Sequence, residues 1–94
     1  MDFEVTLTGT ESSAVFQYPP TTSYKGGISY LYNRAIGQGL IWNCNPDGSI
    51  GPTGPLKAHV GDEIVVSVQV NDQTDSSCIV LRNGPQDPTQ YCSF

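Results

Sequence analysis

The chain is short, acidic and poor in charged side chains: it has 94 residues, a net charge of −5 and four scattered basic residues. Nucleic acids and anionic membrane surfaces are bound by clustered Lys and Arg, so neither is an expected partner. No apolar run approaches the roughly 18 residues of a membrane-spanning helix, so membrane insertion is not expected, and residues 1–94 are predicted to form one domain.

Alternation of apolar and polar residues recurs along the chain, and Gly- and Pro-rich turns separate the alternating runs. This pattern predicts an all-β fold: a small single-domain β-sandwich or closed β-barrel of about eight short antiparallel strands. Tyr30, Tyr32 and Trp42 fall within strands and are expected mostly to pack in the core. In chain order, the predicted strands cover residues 3–8, 14–18, 28–33, 40–45, 57–60, 63–70, 78–82 and 89–94.

The run from Glu63 to Val70 is predicted to lie near the centre of a sheet, because apolar residues occur on both of its faces. Residues 71–77 are predicted to form the loop that follows it. Their Asn, Asp, Thr and Ser side chains are oxygen ligands of the kind Ca²⁺ prefers, and the run resembles the calcium loop of βγ-crystallin domains. Solvated turns use the same residues for hydrogen bonding alone, so neither a metal nor another cofactor is predicted.

Three cysteines are an odd number, which leaves one thiol outside any internal disulfide. Cys78 and Cys92 lie equally far from Pro85 in the turn-forming run 83–88, so they face each other if the flanking segments form a hairpin. Directly opposed Cβ atoms in such a pair are about 4.5–5.5 Å apart, close enough for a disulfide after modest adjustment. We therefore expect a Cys78–Cys92 disulfide and a buried free thiol at Cys44. Pairing of Cys44 with either cysteine, or between molecules, is the alternative.

A disulfide indicates an oxidising compartment. The chain begins with an acidic, alternating segment and not with an apolar targeting segment. A secreted, extracellular protein is therefore expected if its signal peptide has been removed and Met1 is an added initiation residue. Synthesis without a signal peptide is the alternative.

Candidate catalytic groups are few. His59, the only histidine, stands beside a glycine turn in a predicted strand, where such a residue is usually at the surface. Asp62 and Glu63 are adjacent, so on a strand they point to opposite faces and do not form an acid–base pair. There is no Gly-x-Ser-x-Gly elbow, and three Cys with one His lack the spacing of a zinc site. A protein without enzymatic activity is expected.

Tyrosines that bracket a loop are the best candidates for a contact surface. Tyr18 precedes two prolines, and Tyr24 precedes Lys25 and a glycine pair, so both rings are expected to be partly exposed. Exposed Tyr among Gly, Asn and Ser is the composition of a recognition surface. The turn over 83–88 is the second candidate, through Asn83 and Gln86.

The run SCIVLRNG, residues 77–84, resembles a cysteine-bearing strand and turn of the fungal β-sandwich effectors of the rice-blast avirulence and ToxB type. Size, acidity and sparse cysteines are also similar to those of small secreted fungal effectors and elicitors. The resemblance implies a protein that acts on a host. Those effectors usually join an early cysteine to a late one, whereas no cysteine precedes Cys44 in this chain.

The expected function is that of a non-enzymatic small secreted protein, a fungal effector or elicitor that recognises a host protein or a cell-surface glycan through exposed loops. One alternative is a carbohydrate-binding module in which Tyr18, Tyr24 or Trp42 stacks on sugar rings. Another is a structural or decoration subunit of a viral particle. Exposed strand edges and the many tyrosines are compatible with a homo-oligomer in each case.

Overall fold

A computed structural model describes residues 3–8, 12–86 and 92 of the chain. In this part of the chain, the regular structure is eight strands and one short 3₁₀ turn, Thr22–Tyr24. The all-β prediction is confirmed. The strands are β1 (Glu4–Thr8), β2 (Ser13–Gln17), β3 (Ile28–Asn33), β4 (Gln38–Asn43), β5 (Leu56–Lys57), β6 (Glu63–Val70), β7 (Gln73–Val80) and β8 (Gly84–Pro85).

The strands form two four-stranded sheets that do not close into a barrel, so the barrel alternative is wrong. The first sheet has the order β5-β2-β1-β8 and the second has the order β4-β3-β6-β7. Neighbouring strands are antiparallel throughout. Because residues of both sheets contribute to one buried cluster, the arrangement is compatible with a β-sandwich.

The core contains side chains from both sheets and from the connections between them. The expected central strand is confirmed: β6 lies between β3 and β7, and its Ile64, Val66 and Val68 are at most 1% exposed. Burial of these alternating side chains is the main favourable contribution to folding. The clustered buried side chains are Phe3, Val5, Ala14, Phe16, Tyr24, Leu31, Ile50, Leu56, Ala58, Ile64, Val66, Val68, Ile79 and Leu81.

The predicted loop over residues 71–77 is wrong, because β7 begins at Gln73 and pairs with β6 along all eight of its residues. Only Asn71 and Asp72 connect the two strands. Asn71 has φ of 55°, a left-handed conformation that tight hairpin turns use and that Asn tolerates. The first half of β7 is polar and exposed. Backbone pairing with β6, rather than burial of side chains, therefore holds it in the sheet.

The segments around the predicted cysteine hairpin differ from expectation in one respect. Gly84 and Pro85, expected in the turn over 83–88, form β8 and pair with Val5 and Glu4 of β1. Residues 87–88 lie outside the described residues, as does the predicted strand over 89–94 except for Cys92. The predicted strand over 57–60 is also shorter, since β5 ends at Lys57.

The disulfide between Cys78 and Cys92 is confirmed, with Cα atoms 4.9 Å apart. The N–H of Cys92 also donates a hydrogen bond to the C=O of Cys78 (3.0 Å), so the chain at Cys92 lies against the outer edge of β7. Cys44 is a free thiol packed against the core, as expected, but it is half-buried rather than buried. Burial raises the pKa of Cys44.

Candidate recognition surfaces

The predicted loop tyrosines belong to a stack of aromatic rings. The Tyr24 ring centroid lies 5.4 Å from that of Tyr18, which lies 5.0 Å from that of Phe3. The Tyr24 hydroxyl donates a hydrogen bond to Oδ2 of Asp75 in β7 (3.2 Å). The pKa of Tyr24 is raised, mainly by burial. Since Tyr24 is only 6% exposed, the expectation of a partly exposed ring is wrong for this residue. Tyr24 attaches the 3₁₀ turn to the edge of the second sheet.

Tyr18 remains partly accessible. Its N–H and C=O pair with Ile50 (2.9 and 3.2 Å), and its half-buried ring lines an open groove of about 490 Å³ together with Pro19 and Pro20. Lys25 is exposed farther along the loop. Hydrogen bonds from Ser49, and to a lesser extent the charge of Lys25, lower the pKa of Asp47.

Asn83 and Gln86 form hydrogen bonds within the chain. Asn83 Oδ1 accepts from the N–H of Leu7 (3.2 Å), and Gln86 Nε2 donates to the C=O of Arg82 (2.7 Å). The N–H of Gln86 donates to the C=O of Phe3 (3.2 Å), the residue on which Tyr18 packs. The structure therefore brings Gln86 and Tyr18 to the same end of β1, whereas Asn83 lies beside Leu7 farther along the strand.

A second surface lies on the side of the β4-β3-β6-β7 sheet that faces away from the core. In β3, Leu31 is 1% exposed, whereas Tyr32 is 46% exposed. The expectation that the β3 tyrosines pack in the core is therefore wrong for Tyr32, and Tyr30 is half-buried. The register decides this, because Leu31 lies opposite Val66 of β6 and opposed residues share a face of the sheet.

The neighbouring strand β4 extends this surface. Ile41 is 65% exposed and lies opposite Tyr30, while Gly39 lies opposite Tyr32. A Cβ at Gly39 would lie 2.5 Å from the C=O oxygen of Leu31, so a side chain does not fit there without a backbone shift. The space above Gly39 is part of a shallow depression of about 560 Å³. We call the outward side chains of β3 and β4, namely Ile28, Tyr30, Tyr32 and Ile41 with the depression over Gly39, the outer face.

Exposed hydrophobic side chains concentrate on the β3–β4 hairpin. Of the six large hydrophobic side chains exposed among the described residues, all but Val60 lie between residues 28 and 43. Beside the outer face, β6 adds the uncharged outward side chains Val65, Ser67 and Gln69, and Glu63 follows on the same side at the end of the strand. The hydroxyl of Tyr30 donates to Oε1 of Gln69 (3.5 Å). The surface is therefore apolar at its centre, with neutral hydrogen-bonding groups beside it and the Arg34–Glu63 ion pair at one end.

Trp42 does not belong to the outer face. It shares the other side of β4 with Leu40 and Cys44, as the alternation predicted. A Cβ at Gly54 would lie 3.2 Å from the Trp42 ring, so this ring covers the chain at Gly54. It is 37% exposed, so only part of the ring packs against the protein.

The candidate catalytic and calcium-binding residues organise turns and contacts. Oδ2 of Asp62 accepts hydrogen bonds from the N–H of His59 and from Nδ2 of the buried Asn33, both at 2.9 Å. Asp75, expected in an oxygen-rich loop, lies in β7 and bonds to Tyr24. Among the residues that the structure describes, no three His, Cys, Asp or Glu side chains are placed to hold a metal ion.

Alternation alone did not identify the outer face, because both sides of β3 contain apolar residues. The sequence feature that could have identified it lies in β6. The face of β6 formed by Ile64, Val66 and Val68 is more apolar than its other face, and this face is buried in the core. Its register with β3 turns Ser29 and Leu31 inward, since these lie opposite Val68 and Val66. Sequence reasoning would have needed this register.

The described part of the chain contains no helix with the length and hydropathy needed to cross a bilayer. No protein-family model, no curated protein sequence and no solved structure matches this chain. Its function must therefore be inferred from its own surfaces.

Proposed function

We propose that this protein is a small secreted, non-enzymatic β-sandwich that recognises a protein partner through the outer face. The observation that carries the proposal is the exposure of Tyr32 and Ile41 on a side of the sheet whose other side is core and whose ion pair, Arg34–Glu63, lies at one end. Interface cores are depleted of charged residues and enriched in aromatic ones, and contiguous apolar surface marks interaction sites. The surface proposed is therefore a sheet face, not the loops favoured by the sequence.

The scaffold supports this role because the outer face is built on paired strands. β3 has neighbours on both sides, and Leu31 beneath it is buried. Tyr30 and Tyr32 are thus held on a rigid element, and binding requires little additional ordering of the backbone. Tyr also combines a large apolar ring with a hydrogen-bonding group, which suits a central contact in an interface.

The remaining parts of the proposal rest on separate observations. The Cys78–Cys92 disulfide supports an oxidising, extracellular location. A role as a fungal effector or elicitor, with a host protein as the partner, rests on the resemblance of residues 77–84. The absence of enzymatic activity is proposed because Asp62 organises a turn and Glu63 pairs with Arg34 at 3.5 Å.

The test is the response of plant leaf tissue to infiltrated protein, measured as an oxidative burst over a dilution series. We expect wild-type protein to provoke the burst and Tyr32→Ser to reduce its potency at least about tenfold, as for a central interface residue. Val60→Ser is the matched control, because Val60 is 54% exposed but lies in the turn before β6. Circular dichroism establishes that both variants are folded. Wild-type protein without activity would contradict the effector role, and a fully active Tyr32→Ser would contradict the surface.

Carbohydrate binding is the second candidate, and one observation favours it. The depression beside Tyr32 lies near the Gln69 amide, which already accepts from the Tyr30 hydroxyl. An aromatic ring with neighbouring amides suits a sugar, which has an apolar face and polar edges. Tyr32 replaces Tyr24 as the stacking platform, because Tyr24 is buried.

Co-sedimentation with insoluble β-glucan and chitin tests this candidate. Binding that is lost in Tyr32→Ser and kept in Tyr32→Phe would select a carbohydrate-binding module, because the second variant retains the ring. If wild-type protein stays in the supernatant with both polysaccharides, binding to these two carbohydrates is eliminated, and recognition of a protein partner remains the proposal.

A further inference from the structure

The edge of β4 has unused hydrogen-bonding groups. Beyond the last residue of β4, the N–H of Cys44 donates to the C=O of Gly27 (3.0 Å). Hydrogen-bonded and non-bonded pairs alternate along an antiparallel ladder, so every second residue of β4 points its N–H and C=O away from β3. The β3–β4 register identifies these residues as Gly39, Ile41 and Asn43.

In the described part of the chain no strand pairs with this edge, although β4 approaches β5 and Trp42 packs over Gly54. β4 is the last strand of its sheet, and the outward backbone groups of Gly39, Ile41 and Asn43 form no hydrogen bond within residues 3–8, 12–86 and 92. Five of the six β4 residues are exposed. A row of unpaired N–H and C=O groups is a template for another strand.

The other sheet edges carry the features that normally prevent such pairing. β5 and β8 have two residues each, and they include Lys57 and Pro85 respectively. β7 is longer but carries Asp75 and is covered in part by the chain at Cys92. β4 has six residues with neither charge nor proline. Short length, charge and proline are the usual protections of an edge strand, and β4 lacks all three.

We propose that two copies of this chain pair antiparallel through their β4 edges and join their second sheets into one continuous sheet. This inference goes beyond the proposed function. We place the two-fold axis at Ile41. Ile41 of one copy then lies opposite Ile41 of the other, and Gly39 of each copy lies opposite Asn43 of the other. This is the two-fold register in which all three residues with outward backbone groups find partners within β4.

Side-chain pairing favours a second copy as the occupant, and the lack of charge in β4 permits it. Each copy has a net charge of −5, so two copies repel each other wherever their carboxylates meet. The β4 segment is uncharged, and pairing there opposes no like charges. On the core side of the sheet, Leu40 would lie opposite Trp42 of the second copy. On the other side, Ile41, at 65% the most exposed of the large hydrophobic side chains described, would lie beside Ile41 of the second copy, so the two outer faces would be continuous.

The test uses complementary charges at the two-fold axis. Sedimentation equilibrium over a wide concentration range should show a monomer–dimer equilibrium for the wild-type protein. Ile41→Lys and Ile41→Asp should each weaken self-association at least about tenfold, because like charges would then face each other. An equimolar mixture of the two variants should restore the dimer. Val60→Lys and Val60→Asp, alone and mixed, are the charge-matched controls and should behave as wild type.

A second measurement requires no substitution. Amide hydrogen exchange followed by NMR should show protection of Gly39, Ile41 and Asn43 that increases with protein concentration. Leu40 and Trp42, which already bond to β3, should not change. A wild-type protein that stays monomeric, a mixture that does not associate, or concentration-dependent protection elsewhere than at these alternate residues would overturn the proposal.

Discussion

The two outer strands of the second sheet, β4 and β7, are attached to the molecule in opposite ways. β7 is held by a hydrogen bond from Tyr24 to Asp75 and by the Cys78–Cys92 disulfide. β4 receives no such attachment within the described residues. Yet the sequence of β4 resembles a strand more closely, since the first half of β7 is polar and was expected to be a loop.

An edge strand whose own side chains bury little surface is held by contacts from other parts of the chain. The polar first half of β7 buries little surface, and the hydrogen bond from Tyr24 to Asp75 holds it, whereas Cys92 is attached to the second half through Cys78. β4 pairs only with β3 and is held further by Leu40 against the core and Trp42 over Gly54, and its free edge remains available for association.

The largest effect is expected from removing the ring that attaches the 3₁₀ turn to β7. Tyr24→Ala should lower the free energy of unfolding by about 4 kcal/mol, because a buried ring and its hydrogen bond to Asp75 are both lost. The matched substitution on β4 is Ile41→Ala, which should change the stability of the monomer by less than about 0.5 kcal/mol. Urea denaturation at low protein concentration measures both. Equal effects of the two substitutions would contradict the contrast between the edges.

Removing the disulfide should have the next largest effect. Cys92→Ser should destabilise the protein by about 3 kcal/mol, the value expected for a closed loop of about 15 residues. The separation of 14 residues between the two cysteines sets this magnitude. Thermal unfolding measures it, and reduced wild-type protein should match the variant. A melting temperature equal to that of oxidised wild type would show that β7 does not depend on the tether.

The smallest effect on the free energy of unfolding is expected from removing only the hydroxyl of Tyr24. Tyr24→Phe should cost about 1 kcal/mol at neutral pH, because Asp75 loses its donor. The pKa of Tyr24 is raised in the folded protein above its ordinary value of about 10. The stabilising contribution is therefore complete below about pH 10 and is lost as pH rises through the folded-state pKa.

Urea denaturation of wild type and Tyr24→Phe from neutral pH to alkaline pH checks this. The difference between the two proteins should be constant up to about pH 10 and then decrease. The Cys44 thiol titrates in both proteins, so its contribution cancels in the difference. A difference that grows with pH would mean that the hydroxyl is not held in its neutral form.

Much of the fold followed from local pattern. The alternation in β6 predicted its central place and its buried face, because four apolar residues at every second position leave one choice of face. The symmetric placement of Cys78 and Cys92 about a turn predicted their disulfide. The candidate site was predicted less well: of the proposed binding residues, Tyr24 is buried, and Asn83 and Gln86 bond to the chain itself.

Alternation and turn residues act locally, and they were enough to predict short antiparallel strands with β6 at the centre. The side of β3 that faces solvent depends on tertiary structure, since both sides contain apolar residues and the register with β6 selects one of them. The attachment of the edge strands β4 and β7 also depends on tertiary structure. Asp75 of β7 is bound by Tyr24, which is far away in the chain, and no local sequence pattern contains that information.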